Sequence, residues 1–299
     1  MTLRSQYAFL AAVAAGALTG CGAHTAATTA TTPGPPIRVV AVERVYGDLA
    51  RQIGGDAVVV DTILNSPSAD PHAYEPTTHD ADAIAAADIV IENGLGYDSF
   101  ADKLLAASPK AGRAVLDVGT LANHRVGDNP HVWYEAETLH RFADTFAVEI
   151  AIRSTAEHRK SIVSSRDALY AWIARFSANV SRLGRAHAGA RVAITEPVFD
   201  YVLHASNLTI ATPPSFSHAI EEGNDPAPQD VDTMRSLLSS RTVAAFVYNS
   251  QTIEPSTVSL LDVARAAGTH IVPVTETLPA GETTQQWIDG EVSALERAL

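Results

Sequence analysis

Short runs of β-branched and other apolar residues alternate along the chain with longer stretches whose apolar positions recur every three or four residues. Seven runs are predicted to be strands, and they lie at residues 38–42, 57–61, 88–91, 114–117, 191–194, 243–247 and 270–274. Strands separated by helices are typical of βαβ units, in which helices cover both faces of a parallel sheet. Because four runs precede a long gap and three follow it, the pattern predicts an α/β fold with two lobes.

The gap between the two groups, about residues 135–188, has no proline and no strand signal. Its apolar spacing predicts helix, and its second part, about residues 155–184, is long for a helix of a globular protein. We expect this part to link the lobes, with two ordinary helices broken near Ser164-Ser165 as the alternative. The predicted division is an N-terminal lobe of residues 37–150, a linking helix of residues 151–187 and a C-terminal lobe of residues 188–299.

The first residues resemble the signal peptide of a bacterial lipoprotein. Arg4 precedes an almost uninterrupted apolar run at residues 7–18, and Leu18-Thr19-Gly20-Cys21 follows at once. Such a run is too short to span a bilayer stably and suits the core of a signal peptide, although a buried helix or a short membrane anchor is the alternative. The resemblance implies removal of residues 1–20 and attachment of lipid to Cys21.

The segment after the cysteine is rich in Ala, Thr and Pro and has no apolar periodicity. Residues 21–36 are therefore interpreted as the lipidated cysteine and a flexible tether to the folded body. This arrangement predicts a protein held at the outer side of the cytoplasmic membrane. No later segment is long and apolar enough to be predicted as a membrane span.

Charge and cysteine content narrow the classes of partner. The 299 residues carry a formal net charge of −13, which disfavours nucleic acid and anionic membrane surfaces as partners and weakly favours cations. Cys21 is the one cysteine of the chain, so a lipidated Cys21 leaves no thiol for a disulfide or for a thiolate metal site.

Two histidines occur in similar loop contexts. His72 lies in Asp70-Pro71-His72-Ala73-Tyr74-Glu75-Pro76, and His131 lies in Asn129-Pro130-His131-Val132-Trp133. Proline restricts the residue before it and favours an ordered loop over a helix. A lone loop histidine is usually exposed or satisfied in the core, but two in Pro-His contexts near the ends of α/β units are candidates for metal ligands.

Two glutamates follow predicted strands of the second lobe. Glu196 comes directly after the run at 191–194, and Glu276 comes after the run at 270–274. Open parallel sheets bind ligands outside the carboxyl ends of their strands, so both side chains are placed where a site would form. From position alone, a carboxylate near a helix N-terminus or in solvent is the commoner interpretation.

Several separated motifs, in order, resemble the metal-specific solute-binding proteins of ABC importers. They are Ile53-Gly54-Gly55-Asp56, Asp70-Pro71-His72 with Tyr74-Glu75-Pro76, Asn93-Gly94-Leu95-Gly96-Tyr97, Asn129-Pro130-His131-Val132-Trp133 and Tyr248-Asn249-Ser250-Gln251-Thr252. The resemblance implies two lobes with parallel-rich sheets joined by a long backbone helix. It also implies a metal site in the interlobe cleft, an ABC permease and its ATPase as partners, and a monomer.

The resemblance further implies that four residues hold one metal ion: His72, His131, Glu196 and Glu276. The family usually has aspartate at the last position, so Asp225 in Gly223-Asn224-Asp225-Pro226 is the reserve candidate. The zinc-type pattern has histidine where this chain has Glu196, and it has a histidine-rich loop that is missing here between the two histidine motifs.

Two imidazoles with two carboxylates form a harder ligand set than three imidazoles with one. The sequence therefore tilts the expected cargo toward Mn²⁺, with Fe²⁺ possible, while Zn²⁺ remains open because it binds such sets well. The ligands must be deprotonated to bind, so metal affinity is expected to fall on acidification.

A closed set of four protein ligands leaves no coordination position for a water nucleophile, so we expect a binding protein and not an enzyme. A metal-dependent hydrolase is one alternative, although no HExxH spacing or nucleophile elbow is present. A surface adhesin lipoprotein with an incidental metal is the other.

Overall fold

The computed structural model describes residues 35–66, 74–252 and 254–299. The proposed signal peptide, Cys21 and His72 lie outside these residues. The described part folds into two four-stranded parallel sheets with helices packed around them. The predicted fold class is therefore confirmed.

The first sheet follows from the four runs of the first half. Its strands are β1 (Ile37–Glu43), β2 (Val58–Leu64), β3 (Ile89–Glu92) and β4 (Ala114–Asp117). The helices of this half are α1 (Arg44–Gly54), α2 (Thr78–Ala86), α3 (Ser99–Ala107) and α4 (Val118–Leu121). The strand order is β2-β1-β3-β4, and β1 and β3 are buried almost throughout, as expected for a sheet covered on both faces.

The second sheet repeats this topology. Its strands are β5 (Arg191–Ile194), β6 (Thr209–Ile210), β7 (Ala245–Asn249) and β8 (His270–Val274), in the order β6-β5-β7-β8. The helices of this half are α7 (Asp200–Ala205), α8 (Pro214–Glu221), α9 (Pro228–Ser239), α10 (Pro255–Ala267) and α11 (Thr284–Ala298). The order reverses between β5 and β7, and ligands of open α/β sheets bind outside the carboxyl ends of strands at such a switch point.

Two helices connect the sheets in sequence, α5 (Ala136–Arg153) and α6 (Ala156–Ala186). The second has 31 residues, a length of about 46 Å, and runs unbroken through Ser164-Ser165. It begins at Ala156, next to the predicted start at about residue 155, because the Thr155 side chain accepts a hydrogen bond from the backbone N–H of His158 and caps the new helix.

The two halves share a hydrophobic cluster, and each half also has a smaller one of its own. Helix α6 contacts α5, α1 of the first half, and α7 and α11 of the second half. Tyr134, two residues before α5, packs against Trp287 of α11 with ring centroids 5.2 Å apart, and both belong to a buried cluster that extends across both halves. Within the described residues, no helix combines the length and apolar character that a membrane span requires.

Candidate metal site

Three of the residues singled out from the sequence meet where the halves face each other. Glu196 follows β5, Glu276 follows β8, and His131 lies in the loop before a 3₁₀ turn at Val132–Tyr134. His131 is completely buried, and the two glutamates are 6% and 8% exposed. Ionisable groups removed from water in this way need compensating partners, because an isolated buried charge is costly.

The orientation of His131 is set by Asn129. The amide oxygen Oδ1 of Asn129 accepts the backbone N–H of His131 at 3.0 Å and lies 2.7 Å from ring atom Nδ1. The amide nitrogen Nδ2 of Asn129 donates to the carbonyl of Pro197 at 2.7 Å. These contacts fix which end of the amide is oxygen, so Nδ1 must be the protonated ring nitrogen and Nε2 carries a lone pair in the neutral ring.

The Nε2 atom of His131 faces two carboxylates. It lies 3.6 Å from Oε1 of Glu276 and 3.7 Å from Oε1 of Glu221, the last residue of α8. Both distances exceed those of a hydrogen bond. The Nε2 atom thus has two carboxylate oxygens within 3.7 Å of it, and a cation near them would offset the negative charge of the carboxylates.

Asn249, the last residue of β7, joins the two predicted glutamate ligands. Its Nδ2 lies 3.0 Å from Oε2 of Glu196 and 3.3 Å from Oε2 of Glu276. Its Oδ1 accepts the backbone N–H of Gln251 at 3.0 Å, which confirms the orientation of the amide. The second oxygen of Glu196, Oε1, is buried and makes no hydrogen bond to any described residue.

Two further side chains hold Glu276 in place. The hydroxyl of Tyr97, from the first half, donates to Oε1 of Glu276 at 2.7 Å. The side-chain oxygen of Gln251 accepts the backbone N–H groups of Glu276 and Thr277 at 2.8 and 2.9 Å. The glutamate is therefore oriented by groups from both halves, as supporting residues orient metal ligands in general.

The electrostatics of the site favour a positive charge. The pKa of Glu196 is raised to about 7, chiefly by burial and also by the carboxylates of Glu276 and Glu221, against the lowering effect of its hydrogen bond from Asn249. Burial alone would lower the pKa of His131, but the nearby carboxylates, Glu221 foremost, raise it above its ordinary value. A cation bound between these groups would offset their repulsion.

The described residues do not by themselves form a closed metal site. No group of three or more His, Cys, Asp and Glu side chains within them has the spacing of a bound ion. His131, Glu196 and Glu276 are nevertheless neighbours, whereas the reserve candidate Asp225 is exposed in the loop after α8. The fourth residue of the set, His72, lies outside the described residues.

Glu221, Asn249 and Asn129 were not among the residues selected from the sequence. Asn249 and Asn129 belong to motifs that carried the family resemblance. The sequence therefore marked both positions, but it gave neither asparagine a role. No sequence pattern marked Glu221 as a site residue. It ends a short helix directly before a second glutamate, and the strand before that helix has only two residues.

Comparison with known proteins identifies the family and the fold. Residues 39–298 match the family described as "ZnuA: Zinc-uptake complex component A periplasmic". The manganese ABC transporter substrate-binding lipoprotein PsaA of Streptococcus pneumoniae is 29% identical over 136 residues, 41% of this chain and 44% of PsaA. The iron-binding protein YfeA of Yersinia pestis is 31% identical over 102 residues, 32% of each chain. The chain thus spans less than half the length of these curated relatives.

Solved structures share the fold. The periplasmic zinc binding protein TroA from Treponema pallidum superposes with a TM-score of 0.71 at 18% identity, over 89% of this chain and 99% of TroA. The resemblance noted from the sequence motifs is confirmed by the family match. Because that match extends from β1 to the end of α11 and the two-sheet architecture agrees with it, the chain belongs to the ZnuA family.

Proposed function

We propose that this protein is the substrate-binding component of an ABC importer for a divalent transition metal. The observation that carries the proposal is the buried Nε2 lone pair of His131, which faces carboxylate oxygens of Glu276 and Glu221 with Glu196 beside them. The family match and the names of the relatives, which include a manganese transporter protein and an iron-binding protein, support the same class of cargo.

The proposed ligands carried over by motif are His72, His131, Glu196 and Glu276. The cargo is Mn²⁺ or Zn²⁺, with Fe²⁺ as a further candidate, because imidazole and carboxylate ligands accept all three. A site enclosed by protein ligands leaves no place for an activated water. We therefore propose a binding role and no catalytic one.

The setting of the protein is part of the proposal. Residues 1–20 act as a lipoprotein signal peptide, Cys21 carries the lipid, and residues 21–36 form the tether. The lobes of residues 37–150 and 188–299, linked through residues 151–187, close around the ion as a monomer outside the cytoplasmic membrane. The loaded protein then delivers its ion to a permease driven by an ATPase.

Metal binding by the full-length chain in detergent tests the proposal. The protein is stripped with a chelator and titrated with Mn²⁺ or Zn²⁺, and bound metal is measured after desalting. We expect one ion per chain in the wild type and a loss of at least tenfold in affinity for His131→Ala. His218→Ala is the matched control, because His218 is 72% exposed and pairs with Glu222 on the surface.

Two results would contradict the proposal. The first is a wild-type chain that retains no stoichiometric metal. The second is equal binding by His131→Ala and His218→Ala, which would show that the buried imidazole is not a ligand.

A further inference from the structure

Glu221 ends α8 and points into the site that the sequence motifs define. Its side chain is 10% exposed, and its Oε1 lies 3.7 Å from Nε2 of the fully buried His131. The next residue, Glu222, points outward: its side chain is 54% exposed, and its Oε1 lies 3.2 Å from Nε2 of His218. Two adjacent glutamates thus face different surroundings, and one of them shares the surroundings of the proposed ligands.

The described side chains do not enclose an ion as they stand, but each distance from His131 to a carboxylate suits a pair of ligands to one ion. Two donor atoms that each lie about 2.1 Å from an ion at the tetrahedral angle are separated by about 3.4 Å. The separations of 3.6 Å from Nε2 to Glu276 and 3.7 Å from Nε2 to Glu221 are close to this value and nearly equal to each other. By this measure Glu221 is as well placed as Glu276, which the family resemblance names.

A second observation favours a cation in the cluster. Oε1 of Glu196 is buried without a hydrogen bond to any described residue, although Oε2 of the same carboxylate accepts from Asn249 at 3.0 Å. A carboxylate oxygen held in this way, next to an imidazole lone pair, is stabilised by a positive charge.

We propose that Glu221 supplies a third carboxylate to the metal site and makes it selective for the harder ions Mn²⁺ and Fe²⁺ over Zn²⁺. This inference rests on the proposed function, because it assigns a selectivity residue to the same site. Oxygen ligands favour Mn²⁺, whereas Zn²⁺ is usually bound by four ligands, among which imidazole and carboxylate are common. An extra carboxylate also permits a coordination number above four, which Mn²⁺ commonly adopts and structural zinc sites seldom do.

Competition between Mn²⁺ and Zn²⁺ on the full-length chain in detergent tests this inference. The variants are Glu221→Gln and, as the matched control, Glu222→Gln, which removes the same charge one residue away on the surface. We expect Glu221→Gln to lower the Mn²⁺ affinity by a factor at least ten times larger than its effect on the Zn²⁺ affinity, so that the ratio of the two affinities shifts at least tenfold toward zinc. Glu222→Gln should keep the wild-type ratio.

Equal ratios for the wild type and both variants would overturn the assignment of Glu221 while leaving the proposed function intact. Failure of the wild type to bind either metal would instead overturn the proposed function. A crystal structure of the Mn²⁺-loaded wild type tests whether Glu221 is a ligand without any substitution. We expect a Glu221 oxygen within about 2.3 Å of the ion, and a carboxylate more than about 4 Å away would refute the inference.

Discussion

The amide of Asn129 decides which nitrogen of His131 is available for a metal ion. Its oxygen accepts a hydrogen bond from Nδ1 of His131, and its nitrogen donates one to the backbone carbonyl of Pro197. It therefore fixes the orientation of the ring and links the His131 loop to the second half. The hydroxyl of Tyr201 donates to the backbone carbonyl of the same asparagine at 2.8 Å. Asn129 is therefore a positioning residue for the ring of His131.

Replacing Asn129 tests this role. We expect Asn129→Ala to weaken Mn²⁺ or Zn²⁺ binding by about 10- to 100-fold, the range found when a partner that orients a metal ligand is lost. Isothermal titration calorimetry measures the affinity. Asn224→Ala is the control, since Asn224 is exposed and its side chain contacts Glu222. Equal affinities for the two variants would show that His131 needs no fixed tautomer.

Sequence reasoning found the residues that a strand end or a Pro-His motif marks. Glu196 and Glu276 follow strands whose apolar pattern is clear, so their place at one edge of the second sheet could be predicted. Glu221 could not, because Glu221 and Glu222 are chemically identical in the sequence. Their difference arises from the end of α8, where one side chain points to His131 and the other to His218.

Helix α6 depends on a glycine where it crosses α7. A Cβ atom at Gly184 would lie 2.3 Å from the backbone carbonyl oxygen of Ser206, the residue after α7. A backbone atom cannot turn aside as a flexible side chain does. Gly290 in α11 differs, because a Cβ atom there would meet no atom within 4 Å.

We therefore expect opposite effects from the same substitution in two helices. Gly184→Ala should lower the free energy of unfolding by about 1–3 kcal/mol through the steric clash. Gly290→Ala should raise it by about 0.5–1 kcal/mol, because alanine loses less backbone entropy in a helix. Urea denaturation of the metal-free protein measures both. A stability gain from Gly184→Ala would refute the close packing of α6 on Ser206.

At the scale of elements, the periodic pattern predicted most of the architecture. Seven of the strands in the described part were recognised, and the long helix between the sheets was expected. Strand β6 was missed because its two residues, Thr209 and Ile210, are too few to show alternation. The long helix was expected at about residues 155–184, and α6 spans Ala156–Ala186.

For the whole molecule, the charge distribution inside the first half has a consequence for stability. Glu92 at the end of β3 is buried, and burial together with the carboxylates of Asp98, Asp102 and Asp117 raises its pKa to about 8. Glu43 at the end of β1 is also buried, and burial followed by the charge of Asp98 raises its pKa well above the ordinary value. Both strand ends therefore favour protonated carboxyls in the folded state.

These shifts make the metal-free protein less stable as pH rises. A carboxyl whose pKa is higher in the folded than in the unfolded chain binds more protons when folded, so the free energy of unfolding falls between the unfolded pKa, about 4.3, and the folded pKa. Each such group lowers the free energy of unfolding by up to about 1.4 kcal/mol per pH unit across that window.

We expect the metal-free wild type to lose at least about 2 kcal/mol of stability between pH 5 and pH 8, measured by urea denaturation at each pH. Glu92→Gln should show a smaller loss over the same range, because the amide has no proton to release. Glu282→Gln, at an exposed position, should follow the wild-type profile. If Glu92→Gln and the wild type gave parallel profiles, Glu92 would be ionised in the fold across this range, and the acidic strand ends would need a cation of their own.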